Sequence, residues 1–318
     1  MNPLLSSLFQ GISSMMLDYK IIHWWERGKV LGVGSSGFVS EARPRPWTGF
    51  YNLFPPLMAV KSSKIKDNID NEMQILSRLR GHPHIIHLYL YDVTMEQGTV
   101  LYNIFLEYAS GGSLADRINS NGGGLSEFEV SGYVKGILLG LDTIHELGFV
   151  HCDVKPENIL IVNGVAKIAD FGLTVKAGVY DNRHGTLEYV APEVVRDINY
   201  TSRADIWALG LTVLTMLTGN CIWDSGIKSL EMLDLIGYSN VLPVIPKGLS
   251  IEAVDFLSKC LVRNHELRWT AKMLLDHPFV KMQMHRFRCL PVPLDYAIDV
   301  SMMKRKTYGP DALVDVGW

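Results

Sequence analysis

The clearest pattern along the chain is a helical repeat of apolar residues that follows a capping signal. Ser126 and, three positions later, Glu129 form the sequence of a capping box, in which each side chain satisfies a backbone N–H at the helix start. Apolar side chains then recur at intervals of three and four, at Val130, Tyr133, Val134, Ile137, Leu138, Leu141 and Ile144. This spacing predicts an amphipathic helix whose apolar stripe lies in the core and takes no part in chemistry.

Two further stretches also predict helices. Between Ile69 and Arg80, one apolar face is formed by Met73, Ile75, Leu76 and Leu79. Residues 204–217 are mostly apolar but too few to span a membrane, which is typical of a helix buried in a core. Asp205 would lie in the first turn of that helix, where a carboxylate suits the helix dipole.

Apolar runs separated by turn residues predict the strands. Residues 158–162 and 165–169 are two such runs joined by Asn163-Gly164. Asn-Gly in this position predicts a β-hairpin, because both turn residues need a positive φ. A further strand is predicted at 38–42, and a proline-containing loop over 44–56 follows it.

Composition sets broad limits on the class of protein. The chain has 318 residues, of which 47% are hydrophobic and 20% charged, with a formal net charge of −3. These values predict a soluble globular protein without a membrane span, and they give no reason to expect nucleic acid or an anionic membrane as a partner. The cysteines show no C-x-x-C spacing, which indicates reduced thiols in a cytosolic or nuclear protein; they are Cys152, Cys221, Cys260 and Cys289.

Three polar residues at the ends of the predicted hairpin carry the candidate chemistry. Asp153 and Asn158 belong to the segment HCDVKPEN at 151–158, and Asp170 begins Asp-Phe-Gly at 170–172. Phosphoryl transfer to a hydroxyl needs a carboxylate that orients the attacking oxygen and oxygen ligands that hold Mg²⁺. The two segments resemble the catalytic loop and the magnesium loop of eukaryotic protein kinases. One residue departs from that pattern, since Cys152 stands where most kinases have arginine.

A glycine-rich segment, GVGSSGFV at 32–39, lies earlier in the chain. Its backbone can lie close over phosphates, because glycine leaves room and tolerates unusual φ and ψ. Dinucleotide-binding turns have the same glycine spacing, but they need a helix next and an acidic residue about 20 positions further on. Here a predicted strand and the proline-containing loop follow, so the dinucleotide alternative is rejected.

The resemblance to protein kinases implies roles for individual residues. Asp153 and Lys155 would be catalytic, and Asn158 and Asp170 would hold Mg²⁺. Residues 58–61 resemble the strand that carries the phosphate-binding lysine, so Lys61 would contact the phosphates of ATP. The complete set implied for ATP binding is Leu31, Gly32, Val33, Gly34, Ser35, Ser36, Gly37, Val39, Ala59, Lys61, Glu72, Leu106, Glu107, Ala109 and Leu160.

The same resemblance implies specific contacts among these residues. Glu72, in the predicted helix at 69–80, would pair with Lys61. In the hinge over 105–114, Leu106 would lie behind the adenine, and the backbone of Glu107 and Ala109 would hydrogen-bond it. Elsewhere, Glu193 would pair with Arg268, and Asp205 would brace the backbone of the catalytic loop.

The fold that the resemblance implies is α+β with two lobes. A small, mainly antiparallel β lobe with one key helix would occupy 23–106, and a larger, mainly helical lobe would occupy 107–281. Residues 1–22 lack the basic start of a signal peptide and are predicted to be a flexible leader. Residues 282–318 are predicted to be a C-terminal tail.

Two positions resemble serine/threonine kinases more than tyrosine kinases, namely Lys155 and Thr186. Local matches at 25–32, Cys152 and 290–296 resemble plant mitogen-activated protein kinase kinase kinases. The implied substrate is then a mitogen-activated protein kinase kinase. The alternative is a pseudokinase that binds nucleotide and scaffolds partners, and magnesium-dependent ATP turnover distinguishes the two.

Cys152 leads to a hypothesis about regulation. Where arginine occupies this position, its guanidinium binds a phosphate on the activation segment, and a neutral thiol cannot make that contact. Residues 173–190 contain no serine, and their hydroxyls belong to Thr174, Tyr180, Thr186 and Tyr189. The sequence therefore predicts activity that does not require phosphorylation of this segment.

Overall fold

The structure is a computed structural model that describes residues 24–282 apart from 35, 47, 49–50, 180–184, 221 and 224–226. These residues belong to one compact unit, Met1–Gln283. The predicted leader over 1–22 and all but the first residue of the predicted tail over 282–318 lie outside the described residues.

The first part of the described chain forms a five-stranded antiparallel sheet. Its spatial order is β1-β2-β3-β5-β4, and its strands are β1 (Trp25–Gly34), β2 (Gly37–Pro44), β3 (Met58–Ser63), β4 (Leu88–Glu96) and β5 (Thr99–Leu106). β3 is central and all of its residues are buried. The strands predicted at 38–42 and 58–61 fall within β2 and β3, so both predictions are confirmed.

One helix, α1 (Lys66–Arg78), follows β3 and packs against the sheet through its apolar face. Ile69, Ile75 and Leu76 on this face are buried, as the periodicity predicted. The helix begins three residues earlier and ends two residues earlier than the predicted range, 69–80. Leu79 caps its C-terminus, and Gly81 with a φ of 84° turns the chain away.

The rest of the chain is mainly helical. Its helices are α2 (Leu114–Ser120), α3 (Glu127–Glu146), α4 (Pro192–Asp197), α5 (Ser202–Thr218), α6 (Ser229–Tyr238), α7 (Ile251–Cys260) and α8 (Ala271–Leu275). Two small antiparallel sheets accompany them, formed by β6 (Phe149–Val150) with β9 (Val175–Lys176) and by β7 (Ile159–Val162) with β8 (Val165–Ile168). An antiparallel sheet with one helix, followed by a helical part, confirms the predicted fold class.

The predicted capping box of α3 forms only in half. The Ser126 hydroxyl accepts a hydrogen bond from the Glu129 N–H at 3.3 Å, as predicted. The Glu129 carboxylate instead binds the Arg117 guanidinium of α2, with Oε1 2.8 Å from Nε. A charged partner competes successfully here, because a charge-assisted hydrogen bond is stronger than one to a backbone N–H. The apolar stripe of the helix is buried as predicted.

Helix α5 lies in the middle of the helical part. Twelve of its 17 residues are buried and the other five are partly buried, which confirms the core helix predicted from its apolar sequence. Within the described ranges, no helix combines the length and the apolar character that crossing a membrane requires.

The hairpin that precedes the candidate site has the predicted turn. Asn163 and Gly164 have φ values of 50° and 80°, so both occupy the left-handed region that this turn requires. The Ala169 N–H donates to the Asn158 carbonyl at 2.9 Å, which holds the two ends of the hairpin side by side. Consequently Asp170 leaves the hairpin next to the segment that carries Asp153.

A buried ion pair anchors the end of the segment that follows Asp170. The Arg268 guanidinium binds both carboxylate oxygens of Glu193, at 2.7 and 3.0 Å, and both side chains have 0% exposure. It also donates to the backbone carbonyls of Arg203 and Val262. The predicted pairing of Glu193 with Arg268 is therefore present.

Arg268→Met is expected to lower the free energy of unfolding by about 3–5 kcal/mol, because it leaves the Glu193 carboxylate buried without a partner. Urea denaturation measures the change. Adding Glu193→Leu is expected to recover part of the loss, since apolar residues replace a buried pair well. Arg196→Met, at an exposed position, serves as the control. A single Arg268 variant as stable as the control would contradict this prediction.

Candidate active site

Lys61 lies at the centre of a network that joins the sheet, α1 and the hairpin exit. Its Nζ is 2.6 Å from Glu72 Oε2 and 2.8 Å from Asp170 Oδ1. The second oxygen of Glu72 accepts from the Phe171 N–H at 3.3 Å. The predicted contact between Lys61 and Glu72 is thus formed, and Asp170 joins it from 109 positions further along the chain.

The charges of this network stabilise one another. Burial alone would lower the pKa of Lys61, but the neighbouring carboxylates of Glu72 and Asp170 outweigh burial and raise it above its usual value. Burial likewise favours a neutral Asp170, yet the Lys61 ammonium lowers the pKa of this carboxyl. Lys61 is therefore charged at neutral pH and is held in one position.

A second network fixes the loop that carries Asp153. The backbone N–H groups of His151 and Cys152 both donate to the Asp205 carboxylate, each at 2.9 Å. His145 Nε2 lies 2.8 Å from the same carboxylate. Asp205 therefore braces this loop from the buried helix α5, as expected from the resemblance.

The Asp153 carboxylate has polar groups on both oxygens. Oδ1 accepts from the Thr186 N–H at 2.9 Å and from the Thr186 hydroxyl at 2.8 Å. Oδ2 lies 2.7 Å from Asn158 Nδ2 and 2.9 Å from Lys155 Nζ. Burial favours the neutral acid, but these donors outweigh it and lower the pKa of Asp153. The structure thus brings together Asp153, Lys155, Asn158 and Thr186.

Asn158 and Asp170 offer oxygen atoms that suit a hard cation. Asn158 directs its amide nitrogen at Asp153, so its carbonyl oxygen is the atom available to a ligand. Asp170 uses Oδ1 for Lys61 and the Gly172 N–H, which leaves Oδ2. Mg²⁺ prefers such oxygens and usually takes only one or two protein ligands beside phosphate and water. These residues fit the predicted magnesium site. The described part of the chain contains no cluster of three or more His, Cys, Asp or Glu residues that would suit a metal.

The sheet register places most residues of the predicted ATP set side by side. Val39 pairs with Lys61, and Ala59 pairs with Leu106. Val39, Ala59, Leu106, Ala109 and Leu160 all belong to, or pack against, one apolar cluster. These side chains form an apolar surface next to the Lys61 network.

The glycine-rich segment forms the turn between β1 and β2. Gly34 pairs with Gly37 across this turn, and Ser35 lies outside the described residues. A Cβ at Gly37 would approach the Ser62 carbonyl to 2.1 Å, so this position requires glycine. Four other residues predicted for ATP lie at or beside this turn: Leu31, Gly32, Val33 and Ser36. Val33, with 82% exposure, extends away from the sheet.

The hinge after β5 has two of its backbone groups already engaged. The Glu107 N–H donates to the His87 carbonyl at 2.9 Å, and the Ala109 carbonyl accepts from the Gly112 N–H at 3.1 Å. The groups left to hydrogen-bond adenine are therefore the Glu107 carbonyl and the Ala109 N–H. The Glu107 carboxylate binds Lys167 of β8 at 2.7 Å, which ties the hinge to the hairpin.

Sequence reasoning missed Asn71, which ties α1 to the segment after Asp170. Its side-chain amide donates to the Gly172 carbonyl at 3.2 Å and to the Thr174 carbonyl at 3.4 Å. No local pattern marks an asparagine next to Glu72 for this role. Sequence reasoning also missed Gly185. A Cβ at this position would lie 2.2 Å from the Cys152 carbonyl oxygen, so only glycine allows the backbone to pass this close to the loop that carries Asp153.

A model of the protein kinase domain matches residues 25–280. The chain belongs to the protein kinase family. It is similar to mitogen-activated protein kinase kinase kinase 20 of Arabidopsis thaliana, with 42% identity over 82% of this chain and 79% of that protein. Two other Arabidopsis relatives are mitogen-activated protein kinase kinase kinase 17, at 40% over 80% and 69%, and 18, at 38% over 80% and 77%. This kinase is a serine/threonine kinase, and the resemblance to the plant kinase kinase kinases is confirmed.

In the activation segment, residues 173–190, the described hydroxyl groups are buried or in contact with another polar group. Thr174 is 2% exposed, Thr186 binds Asp153, and the Tyr189 hydroxyl lies 3.5 Å from that of Thr215. Tyr180 lies outside the described residues. Cys152 has a φ of 70°, and its thiol donates to the Val150 carbonyl at 3.3 Å.

Phosphatase treatment is expected to leave the specific activity of the kinase within about twofold, since Cys152 cannot make the charge-assisted contact by which arginine orders a phosphorylated segment. Mass spectrometry of the treated protein confirms which phosphates are gone. Loss of activity that accompanies loss of a phosphate between 173 and 190 would contradict the prediction. Loss that tracks a phosphate elsewhere in the chain would not.

Proposed function

We propose that this kinase transfers the γ-phosphoryl group of ATP to serine or threonine hydroxyls of a mitogen-activated protein kinase kinase. The observation that carries the chemical part is the closed contact of Lys61 with Glu72 and Asp170, which holds the phosphate-binding ammonium next to the magnesium ligands. The relatives, which are named as kinase kinase kinases, support the choice of substrate.

Lys61 and the glycine-rich turn would bind and orient the phosphates of ATP. The ammonium is already fixed by two carboxylates, so little reorganisation is needed when the phosphates enter. Val39, Ala59, Leu106 and Leu160 would enclose the adenine, and the two remaining hinge groups would hydrogen-bond it. Asn158 and Asp170 would hold Mg²⁺, which when bound neutralises charge on the phosphates.

Asp153 would receive the proton of the substrate hydroxyl as that oxygen bonds to the γ-phosphorus and the bond to the β-phosphate oxygen breaks. A carboxylate has about four lone-pair positions, and Asp153 already accepts four contacts. The entering hydroxyl must therefore displace one donor. The Thr186 hydroxyl can yield, because its oxygen still accepts a hydrogen bond from Lys155 Nζ at 2.5 Å after it stops donating to Asp153. Lys155 would then neutralise charge on the transferred group.

Location in the cytosol or nucleus is part of this proposal. The two cysteines within the described residues, Cys152 and Cys260, are free thiols, as a reducing compartment permits. Imaging of a fluorescent fusion tests it, and a fusion confined to a secretory compartment would refute it.

The experiment that tests the function measures transfer from Mg²⁺-ATP to a catalytically inactive mitogen-activated protein kinase kinase and to a generic basic protein. Asp170→Asn is the control and is expected to lose transfer to both, because it weakens the magnesium site. Transfer to the first acceptor, absent in the control, supports the whole proposal. Transfer only to the basic protein removes the proposed substrate. Nucleotide binding without transfer to either would favour the pseudokinase scaffold.

A further inference from the structure

A cavity of about 300 Å³ lies between α1 and β9. None of the residues predicted to bind ATP lines it. Four of its lining residues are spaced i, i+3, i+4 and i+7 along α1, so they form one face of the helix: Asn71, Gln74, Ile75 and Arg78. Facing them are Thr174, Val175 and Lys176, with Phe149 and Val179 completing the lining. We name it the α1–β9 cavity.

Two basic side chains give the α1–β9 cavity a positive charge, and Asn71, Gln74 and Thr174 complete its polar lining. Arg78 and Lys176 contribute the charge, one from each wall, and no acidic side chain lines the cavity. Among the residues described, neither of these two basic side chains forms an ion pair with a carboxylate. Arg78 is oriented by the Phe149 ring, whose centroid lies 5.5 Å from Cζ.

Two like charges on facing elements repel, and an anion between them reverses that interaction. A phosphomonoester has about −1.5 to −2 charge at neutral pH and three acceptor oxygens, which suits the Arg78 guanidinium, the Lys176 ammonium and the Gln74 amide. The cavity volume is at the lower end of ligand pockets, about 300–1,000 Å³, and it has apolar walls at Phe149 and Val179. It therefore has room for a phosphate together with the side chain that bears it.

We propose that the α1–β9 cavity binds a phosphorylated side chain of a protein partner and thereby fastens α1 to the activation segment. Helix α1 carries Glu72, whose contact with Lys61 completes the active site. Asn71 alone connects this face of α1 to the segment by side-chain hydrogen bonds among the residues described. A phosphate held by Arg78 and Lys176 adds a second connection and favours the arrangement in which Lys61 and Glu72 meet.

This site is separate from the position where other kinases bind a phosphate on their own segment, because Cys152 does not line the cavity. Occupancy by a partner therefore supplies a means of activation that does not depend on an arginine at position 152. The effect on catalysis rests on the proposed function, whereas binding to the cavity does not.

Binding is tested on the full chain by calorimetric titration with the tripeptides Gly-phosphoserine-Gly and Gly-phosphotyrosine-Gly, their unphosphorylated forms, and inorganic phosphate. A saturating non-hydrolysable ATP analogue keeps these probes away from Lys61. At least one phosphopeptide is expected to bind, and Arg78→Met and Lys176→Met are each expected to weaken it about tenfold or more. Arg80→Met, an exposed arginine near the same helix end that does not line the cavity, is the matched control and should change affinity less than about twofold.

Several results would overturn the binding site. Failure of both phosphopeptides to bind, binding of inorganic phosphate alone, or equal losses in Arg78→Met and Arg80→Met would each do so. Binding of the unphosphorylated peptides with the same affinity would also refute the assignment to a phosphate.

The fastening of α1 has two readouts. First, the bound phosphopeptide is expected to slow hydrogen exchange of the α1 amides. Second, it is expected to raise turnover of the generic basic substrate by about fivefold or more. Neither change is expected in the double variant Arg78→Met/Lys176→Met. Binding without either change overturns the fastening. Slower exchange in a protein that transfers no phosphate would instead locate the failure in the proposed function.

Discussion

Lys61→Met is expected to reduce phosphotransfer by at least about 10²-fold, which is the loss that removal of one preorganised charged donor produces. The ammonium lies 2.6 Å from Glu72 and 2.8 Å from Asp170, so the substitution removes the cation proposed to bind the ATP phosphates and leaves Asp170 without its ion-pair partner. Initial rates at saturating ATP and basic substrate measure the effect. Lys64→Met, at an exposed position just after β3, should retain activity within about twofold. Undiminished activity in Lys61→Met would overturn the site assignment.

The same variant is expected to be less stable. Glu72 has 0% exposure, and without Lys61 its carboxylate becomes a buried charge without a cation, which costs about 3–5 kcal/mol. Such a carboxyl has a raised pKa and takes up a proton in the folded state. The destabilisation should therefore grow as pH rises above the ordinary pKa of a glutamate carboxyl, because the unfolded protein then releases that proton while the folded protein retains it.

A second substitution separates stability from catalysis. Adding Glu72→Leu to Lys61→Met is expected to restore most of the free energy of unfolding, because an apolar pair suits the buried site. It should restore no activity. Recovery of both would mean that Lys61 acts only as a structural residue.

Asp153→Asn is expected to lower kcat by about 10²–10⁴-fold, the usual contribution of a general base. The substitution keeps the shape of the side chain but removes the charge that accepts the substrate proton. It also directs an amide N–H₂ at Thr186 or at Asn158 and Lys155, which are themselves donors. KM for ATP should change little, since Asp153 lies outside the set of residues predicted to bind ATP.

Comparison with Asp234→Asn, an exposed aspartate of α6, controls for loss of one negative charge. That variant should keep kcat within about twofold. The affinity of each protein for a fluorescent ATP analogue shows whether the nucleotide site is intact. An Asp153→Asn variant that retains kcat, with the nucleotide bound normally, would remove Asp153 from the mechanism.

Local sequence was enough to predict most of the elements that carry the site. The Asn163-Gly164 hairpin, β2, α1 and α5 were predicted from short-range turn chemistry and residue pattern, and all are present. The capping box of α3 was half wrong, because Arg117 from another helix takes the Glu129 carboxylate. The ends of α1 shifted, because helix ends are set by neighbouring contacts as much as by propensity.

The kinase resemblance reached further than local patterns could. It placed Lys61 with Glu72, Glu193 with Arg268 and Asp205 under the catalytic loop, and these contacts are present. It did not indicate that the Glu107 N–H is already bonded to the His87 carbonyl. The roles of the individual residues in binding and catalysis stay predictions until the variants above are measured.

The sequence by itself determined the types of residue available for phosphoryl transfer and the strands, turn and helices that carry them, because these depend on neighbours within a few positions. Only the tertiary structure decided which of them meet. Lys61 and Asp170 are 109 positions apart, and Asn71 reaches Gly172 across 101. Arg78 and Lys176 share a cavity for the same reason. Such contacts form when the sheet, α1 and the helical part pack together, and no local periodicity along the chain encodes them.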